Sequence, residues 1–264
     1  MPNPCKAPST PPASEMAAAT RRTEQVMGTA VTVLVPGGCP AALFDEVFAW
    51  FHRVDRTFSV YRPDSAVSRW REFGPGRAPA LVEEVLDRCS ELYPATDGWF
   101  DAWPDGPEGR VDPSGYVKGW SVDVAAALLD GAGIPGYCLA AGGDVKVAGD
   151  GPEGRPWRIG IQHPTERMAA AAVLQGSPLA VATSGAYERG AHIRGRAGSS
   201  LVSATVAGPR LGTADALATA LFAADGAALW FGRFAGYNYL TIGADERVRW
   251  TPGLDACLAS PRLA

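Results

Sequence analysis

Asp215 and Thr219 stand four residues apart in Leu211-Gly-Thr-Ala-Asp-Ala-Leu-Ala-Thr-Ala-Leu-Phe222. Ala and Leu are strong helix formers, so a helix is predicted from about Thr213. The i, i+4 spacing then places a carboxylate and a hydroxyl on one helical face. Both are hard oxygen donors, the ligand type that Mg²⁺ takes. Local sequence leaves a second reading open. Asp215 in the first turn meets the positive end of the helix dipole, and Thr219 can bond back to a carbonyl one turn earlier.

Several other residues carry chemistry of their own. Tyr61 follows Phe58-Ser-Val in a loop, where its ring can stack on a planar ligand or simply pack. Lys118 and Asp123 are predicted to flank the start of a helix over Val122–Leu129, where backbone N–H groups favour anions; a solvated lysine and an ordinary first-turn aspartate are the alternative. Asp101, in Thr96-Asp-Gly-Trp-Phe-Asp-Ala-Trp103, reads as a turn residue. Gly142-Gly143-Asp144 reads as a turn between two strand pieces, with bare backbone that a ligand or another segment can approach.

The elements that position these residues follow from periodicity. Gln25–Val35 reads as one β-branched strand, with Gly28 marking a bulge or a close approach. A helix from about Pro40 buries Phe44, Val47, Phe48, Phe51, Val54 and Phe58, and a second buries Leu81, Val85, Leu86, Cys89 and Leu92. Pro113 and Gly115 mark an irregular stretch before Val122. Strands are predicted at Trp157–His163, Leu179–Thr183, Ser203–Ala207, Tyr237–Ile242 and Arg247–Trp250. Without regular βαβ alternation, this pattern is that of one α+β domain.

Composition narrows the function classes. The chain has 264 residues, 47% hydrophobic and 20% charged, as a globular protein with a sizeable core does. A net charge of −4 without a basic stripe argues against nucleic acid as partner. No apolar run approaches the roughly 20 residues of a membrane span. The five cysteines are scattered and lack C-x-x-C spacing, which argues against a disulfide framework or zinc site and fits a reducing compartment. Residues 1–22, rich in Pro and Ala, are expected to be a disordered tail without a secretory signal, and 23–264 one domain. A cytoplasmic location is expected.

Taken together, the blocks resemble the ApbE-type FAD:protein FMN transferase family. They run in the family's order over residues 23–243: Met27-Gly28-Thr29, Phe58-Ser-Val-Tyr61 with Asp64-Ser65, Gly98-Trp-Phe-Asp101, and Lys118-Gly119 with Asp123. Gly142-Gly143-Asp144, Thr183-Ser184-Gly185 with Tyr187-Glu188-Arg189, His192-Ile193 and Asp215–Thr219 follow. The resemblance implies an α+β fold with a mixed, largely antiparallel sheet and packed helices. It implies an enzyme that binds FAD and Mg²⁺, cleaves the FAD pyrophosphate, attaches FMN to a Thr or Ser hydroxyl of an acceptor flavoprotein and releases AMP.

By that analogy Asp215, Thr219 and the Gly115 carbonyl hold the metal, and Ser184 lies near the pyrophosphate. Met27 and Tyr61 line the isoalloxazine, Lys118 and Asp123 face the adenosine half, and Asp101 joins the cofactor-binding set. His192 corresponds to the histidine that takes the proton from the acceptor hydroxyl, a task suited to an imidazole. The other histidines, His52 in the first helix and His163 before Pro164, read as structural or surface residues.

Two segments depart from the family pattern. Arg194-Gly-Arg-Ala-Gly198 replaces the usual Asp-Pro-x-Thr-Gly turn, and Asp112-Pro-Ser-Gly115 the usual Asp-Leu-Gly-Gly. The first leaves open an FAD pyrophosphatase, with water as acceptor. A non-catalytic flavin-binding protein is the other alternative, against which the joint presence of Asp215, Thr219 and His192 argues.

Overall fold

The computed structural model describes residues 19–70, 78–104, 106, 110–166, 168–185 and 200–260. Strands β1 (Thr20–Val26) and β2 (Thr29–Val35) form a hairpin, with Val26 opposite Thr29 across a two-residue turn. The single strand expected over Gln25–Val35 is therefore two. Met27 and Gly28 adopt φ of 56° and 70°, the pair of positive values that lets a tight hairpin follow the strand twist. β1 also begins three residues before the expected domain boundary.

Helix α1 (Ala41–Phe58) follows, and its six buried residues are Phe44, Val47, Phe48, Phe51, Val54 and Phe58, as its periodicity requires. Next are α2 (Ala80–Ala95), α3 (Ser114–Gly131), β3 (Tyr137–Ala141) and β4 (Asp144–Ala148). β5 (Arg158–Gln162), β6 (Ala170–Gln175), β7 (Leu179–Gly185) and β8 (Leu201–Gly208) lead into α4 (Leu211–Ala223). β9 (Asn238–Gly243), β10 (Val248–Trp250) and β11 (Leu258–Ser260) follow α4.

Eight strands form one sheet in the order β1-β2-β3-β4-β7-β8-β9-β10, and β11-β6-β5 form a second. Every ladder among the described residues is antiparallel. The large sheet is covered on both faces, because successive side chains of a strand point to opposite sides. Ala180 and Ala182 of β7 join the core shared with the helices, whereas Leu179 and Val181 join the core shared with the small sheet. The resulting layers are helices, eight-stranded sheet and three-stranded sheet: an α+β architecture.

Helix α3 starts at Ser114, eight residues before the expected start at Val122. Pro113 sits at its N-cap, and Asp112 Oδ1 accepts the Ser114 N–H at 3.1 Å. Lys118 and Asp123 consequently lie inside the helix rather than beside its start. Gly115 is helical too, and its missing side chain serves packing: a Cβ there would lie 3.1 Å from Thr219 Oγ1 and 3.2 Å from the Phe100 ring. Helix α4 is buried along its whole length, every residue except Thr219.

Candidate active site

Three elements converge where α4 crosses α3. Gly119 faces the start of α4 so closely that a Cβ would stand 2.4 Å from the Leu211 carbonyl oxygen, and one on Gly212 would stand 3.0 Å from Trp120. Backbone-to-backbone contact of this kind lets the Gly119 N–H donate to Asp215 Oδ2 at 3.1 Å. One turn further along α4, Thr219 Oγ1 is 3.4 Å from Ser184 Oγ at the end of β7. The side chains of Ser184 and Thr219 thus meet beside Gly115, and Asp215 is fixed to α3. Asp215 is almost fully buried.

Asp144, the first residue of β4, joins this group from the sheet. Its Oδ1 accepts the Thr183 N–H at 3.1 Å, and its Oδ2 is ion-paired with Lys118 Nζ. Lys118 Nζ is also 3.8 Å from Asp215 Oδ1. In sequence Asp144 reads only as part of a turn. Its signal was the Gly-Gly pair, which forms the two-residue β3–β4 turn and delivers the carboxylate to the strand end.

Beside this cluster lies a cleft of about 290 Å³, walled by Met27, Phe58, Tyr61, Ser114, Val117 and Lys118 among others. The hairpin turn, the end of α1 and one face of α3 therefore bring Met27, Tyr61 and Lys118 together. Ser121 Oγ, which donates to the Lys118 carbonyl at 2.7 Å, lies 3.7 Å from Met27 Sδ, so the hairpin turn packs against α3. Tyr61 is 82% exposed, an aromatic face awaiting a partner rather than a core residue. Tyr61→Ala removes no core contact, so its melting temperature should match the parent's in a thermal scan.

Asp123 is engaged elsewhere. Its two oxygens accept the N–H groups of Leu211 and Gly212 at 3.0 and 2.9 Å, and Lys146 Nζ donates to Oδ1 at 2.5 Å. An α3 carboxylate therefore occupies the anion position at the N-terminus of α4. Asp123→Ala should cost about 1–2 kcal/mol, the value of a strong helix cap, read as a lower urea midpoint. Asp101 accepts the Trp103 N–H at 2.7 Å in an exposed turn. Next to it, Thr96 anchors the Phe100 N–H at 3.0 Å and so holds the ring that abuts Gly115. His192, with Tyr187-Glu188-Arg189 and Arg194–Gly198, lies outside the described residues.

Two other potentially reactive groups are held neutral. Burial raises the Tyr116 phenol on α3, and burial with Asp112 nearby raises the Cys89 thiol on α2 to about 12. Neither is an anion at neutral pH.

The ApbE family model matches residues 27–105 and 103–233. The chain belongs to the ApbE family. Among curated ApbE-type relatives, the FAD:protein FMN transferase of Vibrio cholerae serotype O1 is 37% identical over 238 residues, covering 67% of this chain and 71% of the relative. That of Haemophilus influenzae is 35% identical over 246 residues, with the same coverage of 67% and 71%. The flavin transferase ApbE structure from Vibrio cholerae superposes with a TM-score of 0.77 at 25% identity, over 92% of this chain and 100% of that one. The ApbE protein of Thermotoga maritima shares the fold, with a TM-score of 0.79 at 20% identity.

Among the described residues no group of three or more His, Cys, Asp or Glu side chains is placed to hold a metal ion. A metal here would draw on the Asp215 carboxylate and on neutral oxygens, those of Thr219 and the Gly115 carbonyl. Mg²⁺ is commonly held by one or two carboxylates together with substrate phosphates and water. The residues fit that ion.

Proposed function

We propose that the chain is an Mg²⁺-dependent FAD:protein FMN transferase that joins FMN to a Thr or Ser hydroxyl of an acceptor flavoprotein and releases AMP. The observation that carries this reading is the cleft bounded by Met27, Tyr61 and Lys118, immediately beside the oxygen cluster of Ser184, Asp215 and Thr219. An aromatic-walled space next to hard oxygen donors suits a flavin whose pyrophosphate reaches a metal. Family membership and the names of the relatives support the same conclusion.

In this proposal Tyr61 and Met27 hold the isoalloxazine, and Ser184 lies beside the pyrophosphate. Lys118 borders the adenosine half, with Asp123 acting there through the α4 N-terminus that it fixes. Asp101 orders the turn beside Phe100 and contributes at the edge of the cofactor site. Asp215, Thr219 and the Gly115 carbonyl hold Mg²⁺, which supplies Lewis-acid stabilisation of phosphate charge. The acceptor oxygen attacks the FMN phosphorus, the bond to the bridging oxygen breaks, and AMP leaves with that oxygen. His192 takes the hydroxyl proton as the new P–O bond forms.

His192→Ala should slow transfer by about 10²- to 10⁴-fold, the usual worth of a general base, with FAD affinity unchanged. Equal losses of rate and affinity would make His192 a binding residue instead. The broader test is AMP release. It should require FAD, Mg²⁺ and acceptor together and stop with EDTA; release at the same rate without acceptor would favour the pyrophosphatase, which the altered sequence at Arg194–Gly198 keeps as the second reading.

This activity resides in one domain over residues 23–264, which β1 extends back to Thr20. Enzyme and acceptor share the cytoplasm. The cysteines at 39, 89, 138 and 257 are unpaired, which suits a reducing compartment. Among the described residues no helix is long and apolar enough to cross a membrane.

A further inference from the structure

Asp144 has no exposed surface, and Lys118 and Asp215 are nearly as buried. One ammonium stands between two carboxylates, and unequally: Lys118 Nζ is in close contact with Asp144 Oδ2 but 3.8 Å from Asp215 Oδ1. A buried ion pair seldom stabilises a fold more than apolar residues of the same volume would. Its placement here has another consequence. The Thr183 N–H fixes Asp144 through Oδ1, so the strand that carries Ser184 also sets where the ammonium is held.

We infer that Asp144 is a positioning residue for the metal carboxylate: by drawing Lys118 Nζ to itself, it keeps the ammonium from closing on Asp215. Lys118 then supplies balancing charge to Asp215 from 3.8 Å rather than from direct contact. If Asp144 loses its charge, the remaining attraction pulls the ammonium toward Asp215, a short movement for a flexible four-carbon stem. There it competes with a divalent cation for the same oxygens. The inference rests on the reading of Asp215 as metal ligand proposed above.

The test uses Mn²⁺ added to the full chain saturated with FAD, with free Mn²⁺ followed by electron paramagnetic resonance and FAD alone as the blank. Asp144→Asn keeps the side-chain shape and is expected to bind Mn²⁺ at least about tenfold more weakly, the scale on which partners behind metal ligands act. Adding Lys118→Met to Asp144→Asn deletes the competitor and should recover most of that affinity. Lys118→Met alone should bind Mn²⁺ at least as tightly as the parent, and it keeps the inference testable if Asp144→Asn does not fold.

An Asp144→Asn chain that binds like the parent, a double variant no tighter than the single, or a weaker Lys118→Met single would each overturn the inference. Asp215→Ala separates it from its premise. Parental Mn²⁺ binding by Asp215→Ala removes the metal assignment itself. Loss of Mn²⁺ in Asp215→Ala together with full retention in Asp144→Asn removes only the role of Asp144.

Discussion

Asp215→Ala is expected to lower Mg²⁺-dependent AMP release from FAD by about a thousandfold, the several kcal/mol that a metal contributes to a phosphoryl transition state. Two effects must be kept apart in that result. The substitution removes the proposed charged ligand, and it also leaves the buried Gly119 N–H without its 3.1 Å acceptor. A hydrogen bond to a charged acceptor is worth about 1.5–3 kcal/mol, so the Ala variant should melt earlier as well. Asp215→Asn isolates the charge: it retains an oxygen for Gly119 but is a poor Mg²⁺ ligand. The Asn variant should therefore melt close to the parent and remain about as inactive as the Ala variant at any Mg²⁺ concentration. A normal rate in either variant would take Asp215 out of the metal site.

Gly119→Ala should be among the most destabilising single-methyl additions in the chain. The new Cβ would sit 2.4 Å from the Leu211 carbonyl oxygen and 2.9 Å from the Gly212 nitrogen, both backbone atoms at the fixed start of a buried helix. Neither atom can rotate away, so α3 and α4 must separate. Overpacking costs about 1–3 kcal/mol when side chains adjust, and backbone contacts put this site at or above 3. For a chain of this size that is a fall of about 6 to 12 °C in melting temperature. Separation also pulls the Gly119 N–H from Asp215, so transfer should fall even at temperatures where the variant is folded. Gly131→Ala is the control: it lies in the same helix with nothing within 4 Å of its Cβ position, and should change stability by less than about 0.5 kcal/mol. Equal melting of the Gly119 and Gly131 variants would contradict the packing described.

What the sequence reveals depends on how each element meets its neighbours. Helix α1 packs through one stripe, so Phe44 to Phe58 announce it at 3.6-residue spacing. Helices α3 and α4 lie between other elements and are buried on most sides, as Tyr116 through Val122 are without a break. No stripe exists to be read, and the start of α3 was masked by a glycine retained for contact with Thr219 rather than for a turn. The Met27–Gly28 turn lacks the Asn or Asp that usually marks positive φ, so two strands looked like one. β6 is mostly alanine and β11 only three residues long, and both escaped notice.

The site residues divide in the same way. Asp215 and Thr219 are visible as an i, i+4 pair, and their helix runs from Leu211, two residues before the expected start. Tyr61 stood out as a loop aromatic and is indeed exposed on the cleft. Asp123 lies inside α3 rather than at its start, and the helix N-terminus it caps is that of α4, 88 residues later in the chain. A long-range pairing of that kind has no local pattern. The Asp144–Lys118–Asp215 arrangement is illegible for the same reason, since its members come from a strand and two helices.

The central claim is that FMN leaves this site attached to protein. Intact-mass spectrometry tests it most directly: the full chain is incubated with FAD, Mg²⁺ and a panel of cytoplasmic flavoproteins bearing candidate Thr or Ser sites, while AMP is measured in parallel. The expected result is an acceptor heavier by one FMN group, with one AMP released for each modified chain. AMP and free FMN without any modified protein, or FAD recovered intact, would contradict it.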